Sequence, residues 1–153
     1  MARQTLAMIK ELTAHLIEFE GMKTQLYKCT SGKNTIGVGR NLDDRGISED
    51  EAMILLGNDI KIVQEELLER WPWIKDLPPR AQMVMMDLGF NMGVPAISNF
   101  QNMLRDLQSG NWEGAAINLL DSRYATQVGR RAIYNAHLLE TADDHTLPSK
   151  VTD

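Results

Sequence analysis

Leu6, Ile9, Leu12, Leu16 and Phe19 recur at helical spacing, and the pattern stops at Glu20 with Gly21 directly behind it. The spacing predicts a long amphipathic helix that a glycine is suited to end. From residue 25 to 40 the rhythm changes. Thr30-Ser31-Gly32-Lys33-Asn34 is a run of turn formers, and the residues on either side suit short strands, so a small hairpin is predicted there. Ser48-Glu49-Asp50-Glu51 has the Ser-x-x-Glu form of a capping box and predicts a helix reaching Trp71, with a break near Gly57-Asn58. Pro72, Pro78 and Pro79 then punctuate the chain. Helix resumes at Pro79 and runs through Met83, Met85 and Met86, read as helix core, to about Asn91. Further helices are predicted around 95–108, 111–120 and 126–141, and residues 143–153 lack periodicity and read as a frayed tail.

These elements predict an α+β fold, mostly α, made as a single domain of two lobes over residues 1–153. A hairpin lobe covers about 12–58, a connecting helix and helical lobe about 59–142, and a cleft between lobes is the expected ligand site. A chain of 153 residues with 43% hydrophobic content can bury one good core or two small ones. Its single cysteine allows no internal disulfide, as expected of a protein made in a reducing cytoplasm. Arg3, Lys10, Glu11 and Glu18 interrupt the first twenty residues, so neither a signal peptide nor a stable membrane anchor is read there. A net charge of −5 argues against nucleic-acid binding, and Arg123, Arg130 and Arg131 form the best local cluster for an anionic group. His15, His137 and His145 have no metal-ligand spacing, no serine-hydrolase elbow is present, and no metal or cofactor is expected.

Three residues near the hairpin combine into a chemistry that none supports alone. A glutamate at a helix end is most often solvated surface, yet the negative end of the helix dipole is a poor place for a carboxylate kept only for helix stability. A lone cysteine is most often a small buried hydrophobe, but Cys29 sits between Lys28 and Thr30 at the edge of a polar turn. Thr35 alone reads as a β-branched strand residue, with a hydroxyl that can donate to one oxygen while accepting from a water. It opens Thr35-Ile36-Gly37-Val38-Gly39, whose glycines permit close approach of backbone or substrate. An acid facing a second polar group across a short hairpin is what sugar hydrolysis needs.

Eight residues separate Glu20 from Cys29 and five separate Cys29 from Thr35. This spacing resembles the catalytic triad of the phage-type lysozymes, glycoside hydrolase family 24, whose middle position is Asp or, in some members, Cys. Phe19-Glu20-Gly21, Tyr27-Lys28 and the Thr35 to Gly39 run are similar to that family's first lobe. Phe90-Asn91-Met92-Gly93, Asn99-Phe100, Asn111-Trp112, Ala115-Ala116, Asn118-Leu119, Ser122-Arg123-Tyr124 and Gln127 onward are similar to its helical lobe, so the likeness covers about residues 12 to 140. The resemblance implies a muramidase cutting the β-1,4 bond between N-acetylmuramic acid and N-acetylglucosamine in bacterial peptidoglycan, as phage endolysins do. It implies Glu20 as general acid, Cys29 as the group on the opposite sugar face and Thr35 as the positioner of water. Arg131 would approach the catalytic glutamate, and Phe90, Asn91, Asn102 and Asn118 would line the cleft. The expected protein is a monomer, made in the host cytoplasm and released to the wall by a holin-type route.

Arg40 stands where the family often has His, and an ion pair between Arg40 and Asp59 is predicted from the dipole at the start of the connecting helix. Two other readings stay open. A lytic transglycosylase needs mainly the glutamate, and a non-catalytic wall-binding or structural domain needs no second group. Asp43 or Asp44 could replace a carboxylate missing at position 29 if their loop folds back. A thiol at 29 would orient water, whereas a thiolate could also attack the sugar, so both inversion and retention remain possible.

Overall fold

The computed structural model describes residues 2–148. They fall into two compact units, Met1–Ile54 and Leu55–Asp153.

The first unit opens with α1 (Ala2–Glu20), continues through β1 (Lys23–Lys28), β2 (Asn34–Gly37), β3 (Arg40–Asn41) and α2 (Leu42–Arg45), and includes the start of α3 (Glu49–Arg70). Gly21 ends α1 as predicted: its φ is 75°, and its N–H donates to the Ile17 carbonyl at 2.9 Å. The predicted hairpin is a three-stranded antiparallel sheet in the order β1-β2-β3, with Tyr27 opposite Thr35 and Ile36 opposite Arg40. The third strand exists because Val38-Gly39 turns the chain back, with φ of 68° at Gly37 and 67° at Gly39. Asn41 then caps α2, its side-chain oxygen accepting from the Asp44 N–H at 3.0 Å. A four-residue helix is too short to leave a periodic signal, and α2 was not anticipated.

The capping box forms at the start of α3: Ser48 Oγ accepts from the Glu51 N–H at 3.1 Å, and Glu51 Oε2 accepts from the Ser48 N–H at 2.8 Å. The same Glu51 takes Arg40, whose guanidinium forks onto both carboxylate oxygens at 2.8 and 2.5 Å and also donates to the Gly46 carbonyl. The partner of Arg40 is therefore Glu51, not Asp59: the turn at Gly46 carries the helix start back to β3, within reach of a bidentate fork. Arg40, followed by the Ser48 N–H, depresses the Glu51 carboxyl to about 2 from its usual 4.5. A depressed carboxyl adds stability that is complete above the unfolded value and is lost as pH falls toward the folded one. Thermal melts of Glu51→Gln should accordingly lose less between pH 4.5 and pH 2 than those of the parent; equal slopes would show that the pair contributes nothing. The break anticipated at Gly57-Asn58 is absent, since α3 is continuous from Glu49 to Arg70. A glycine inside a helix costs only about 1 kcal/mol relative to alanine, too little to end one of this length.

The second unit holds most of α3, a 3-10 turn (Pro72–Asp76), α4 (Pro79–Met92), α5 (Val94–Ile97), α6 (Gln101–Ser109), α7 (Trp112–Leu120), α8 (Arg123–Val128) and α9 (Arg130–Glu140). The helix predicted over 95–108 is broken where Ser98, Asn99 and Phe100 donate to carbonyls three residues back, tightening the chain out of the α form. The one predicted over 126–141 is divided at Gly129, φ 53°. Every buried apolar side chain among the described residues lies at or beyond Leu67. At its centre α4 contributes Ala81, Val84, Met85, Leu88 and Gly89, one helical face packed with Ile97, Met103, Leu107, Leu119 and Leu139. Of the methionines read as core only Met85 is fully buried; Met83 and Met86 line a surface depression with Leu56, Ile60 and Phe90. The predicted tail has no helix or strand over 144–148, yet Arg80 secures it, donating to the Thr146 carbonyl, Thr141 Oγ1 and Asp144 Oδ2 at 2.7, 2.8 and 3.0 Å. Its last part, 149–153, lies outside the described residues.

Gly89 is required by packing, because a Cβ there would stand 2.8 Å from Val63 Cγ1 and 3.2 Å from Val94 Cγ2. Gly89→Ala should destabilise the protein by about 1–3 kcal/mol through overpacking, offset in part by the roughly 1 kcal/mol gain in helix propensity. A denaturant midpoint at or above that of the parent would contradict this.

Candidate active site

The turn between β1 and β2 brings two of the three expected catalytic residues together through one carbonyl. Cys29 N–H donates to the Lys33 carbonyl at 3.0 Å, and Thr35 Oγ1 donates to the same oxygen at 2.9 Å. Gly32, with φ 79°, closes the turn by donating to the Cys29 carbonyl at 2.9 Å. Thr35 is buried, 3% exposed, and since its proton is committed to Lys33 its oxygen remains an acceptor. Cys29 is half-buried, with Ser31 Oγ 3.1 Å from its sulfur. The Ser31 hydroxyl, then hydrogen bonds with the Lys33 and Ser31 backbones, lower the thiol from its usual value to about 7. Near neutral pH a large fraction of Cys29 is therefore thiolate.

Glu20, the last residue of α1, lies against the turn between β2 and β3: a Cβ built on Gly39 would stand 3.0 Å from Glu20 Oε2. The group that makes use of a side-chain-free position in Thr35-Ile36-Gly37-Val38-Gly39 is thus the acid itself. Asp43 and Asp44 fold back against the turn between β1 and β2. Asp43 accepts from the Asn34 N–H at 2.7 Å and from its amide at 3.0 Å, which keeps its carboxyl below the ordinary range. Asp44 takes Lys33 Nζ at 3.0 Å and the Asn41 amide at 2.9 Å.

In the second unit, Asn91, Asn102 and Asn118 line one cavity of about 760 Å³, with Phe100, Tyr124 and Gln127. Carboxamides beside aromatic faces offer paired donors and acceptors together with an apolar platform, the mixture a sugar or peptide amide requires. Phe90 and Arg131 instead line a neighbouring apolar depression. Arg131 is held by Asp87, with Nε to Oδ2 at 3.0 Å and a second bond at 2.6 Å, and that bond raises its pKa further. Asn135, 3% exposed, donates to Asp87 Oδ2 at 2.7 Å and to the Tyr124 hydroxyl at 3.2 Å, so one polar chain joins α4, α9 and α8. Burial raises the Tyr124 phenol, with Asn135 opposing. Sequence reasoning missed Ser31, Asp87 and Asn135. Asp87 carried a usable signal, as a charge amid the buried face of α4, whereas Ser31 and Asn135 carried none.

The family described as phage lysozyme matches residues 17–135, a span that includes the Glu20 hairpin and the amide-lined cavity. The chain belongs to the phage lysozyme family. It is accordingly a glycoside hydrolase of lysozyme type, acting on peptidoglycan. Among curated relatives, a probable T4-type lysozyme 2 of Dictyostelium discoideum is 26% identical, over 88% of this chain and 96% of that protein. Among the described residues no helix of this lysozyme is long and apolar enough to cross a membrane.

Proposed function

We propose that this lysozyme is a muramidase of the glycoside hydrolase family 24 type, hydrolysing the β-1,4 bond between N-acetylmuramic acid and N-acetylglucosamine. Glu20 donates its proton to the glycosidic oxygen as the bond from C1 breaks, and the leaving sugar departs with that proton. A water accepted by the Thr35 hydroxyl oxygen attacks C1 and passes its proton to the Cys29 thiolate, inverting the anomeric centre. The observation that carries this reading is the shared Lys33 carbonyl, which ties the Cys29 backbone to the Thr35 hydroxyl and leaves the latter an acceptor for water. Asn91, Asn102 and Asn118, with Phe90 and Arg131, bind the wall polymer. In this account the protein acts as a monomer and serves host-cell lysis, reaching the wall by a holin-type release.

Digestion of purified peptidoglycan followed by borohydride reduction tests the bond assignment. N-acetylmuramic acid should be the sugar reduced at the new chain ends; reduced N-acetylglucosamine ends would overturn it.

A further inference from the structure

We propose that Asp106 fixes the orientation of the Asn118 carboxamide, so that the cavity of the second unit reads secondary-amide N–H groups on its ligand. The proposal rests on the reading that this cavity binds peptidoglycan. Asn118 lines the cavity, and its Nδ2 donates to Asp106 Oδ2 at 2.6 Å. The carboxylate is seated closely on α7 because residue 114 is glycine: a Cβ there would stand 2.8 Å from Asp106 Oδ2 and 2.4 Å from Asn111 Nδ2. Gly114 and Asn118 are four residues apart and share one helical face. The Asp106 carbonyl in turn accepts from the Asn111 N–H at 2.8 Å, anchoring the end of α6 to the start of α7.

A carboxamide can present either edge, and against a carboxylate only one is favourable. The N–H must face Asp106, since the reverse sets lone pairs against lone pairs. With one N–H held by Asp106 and the amide plane fixed by that bond, Asn118 turns its carbonyl oxygen, an acceptor, to the ligand. Hydroxyls on the polymer can donate or accept and are indifferent to this choice. An amide N–H can only donate, so it is the group whose binding depends on the orientation. Peptidoglycan carries such groups in the acetamido substituents of its sugars and in its stem peptides.

The test uses the whole protein and two probes, tetra-N-acetylchitotetraose for the acetamido source and a free stem tetrapeptide for the peptide source. Asp106→Asn, which lets Asn118 rotate, should weaken binding of one probe by on the order of 10-fold. The probe that weakens identifies the source. KM for soluble wall fragments should rise with kcat kept, a split that a merely structural role would not produce. Asn118→Ala should show the same loss, and adding Asp106→Asn to it should cost nothing more. Unchanged binding of both probes in Asp106→Asn, or additive losses in the double variant, would overturn the proposal. If Asp106→Asn does not fold, a crystal structure of the parent with the probe decides: Asn118 Oδ1 facing a ligand N–H supports it, and Nδ2 facing the ligand refutes it. Failure of the parent to cleave peptidoglycan would instead count against the function, because the binding measurements need no turnover.

Discussion

Glu20→Gln should lower peptidoglycan hydrolysis by on the order of 10²- to 10⁴-fold while leaving the thermal melt in place. The carboxamide matches the carboxylate in size, so the contact with Gly39 survives, but it has no proton to give the departing oxygen. An acid that merely oriented the sugar would be replaced by an amide at small cost. Turbidity clearing by the folded variant at rates near the parent would remove Glu20 from the chemistry.

Cys29→Ala should be folded and impaired by about 10²-fold or more, whereas Cys29→Asp should keep substantial activity. Cys29 is half-buried at a polar turn, so a carboxylate there need not be desolvated. The pH profile gives the sharper prediction. If the thiolate accepts the water's proton, activity of the parent falls as pH drops through about 7, where the thiol becomes protonated. An Asp stays ionised down to its ordinary value of about 4, so the acid limb of Cys29→Asp should move down by about three pH units. A thiol reagent should inactivate the parent faster above pH 7 than below it, and should not affect the Asp variant. Full activity in Cys29→Ala, with unfolding of Cys29→Asp, would make the cysteine a packing residue.

What the sequence disclosed follows the range of the forces involved. The end of α1 at Gly21 and the capping box at Ser48 and Glu51 are set by neighbours in the chain, and both are legible. The third strand, the short α2 and the division at Gly129 depend on single positive-φ glycines and on segments of two to six residues, shorter than any periodic signal. The choice of Glu51 over Asp59 for Arg40 required knowing how the Gly46 turn directs the chain. At the candidate site the spacing of Glu20, Cys29 and Thr35 was visible, but the bonds that tune it were not. Ser31 in a turn cluster looks like any other turn serine, and nothing in one dimension says that Asp87 will meet Arg131 across α4 and α9.

The most direct test of the central claim is the mass of the products formed from purified peptidoglycan in water enriched in oxygen-18. Hydrolysis assisted by Glu20, Cys29 and Thr35 predicts N-acetylmuramic acid ends that carry one labelled oxygen per bond broken. Unlabelled 1,6-anhydro ends would mean that the sugar's own hydroxyl closes on C1, and would contradict the role given to the water held at Thr35.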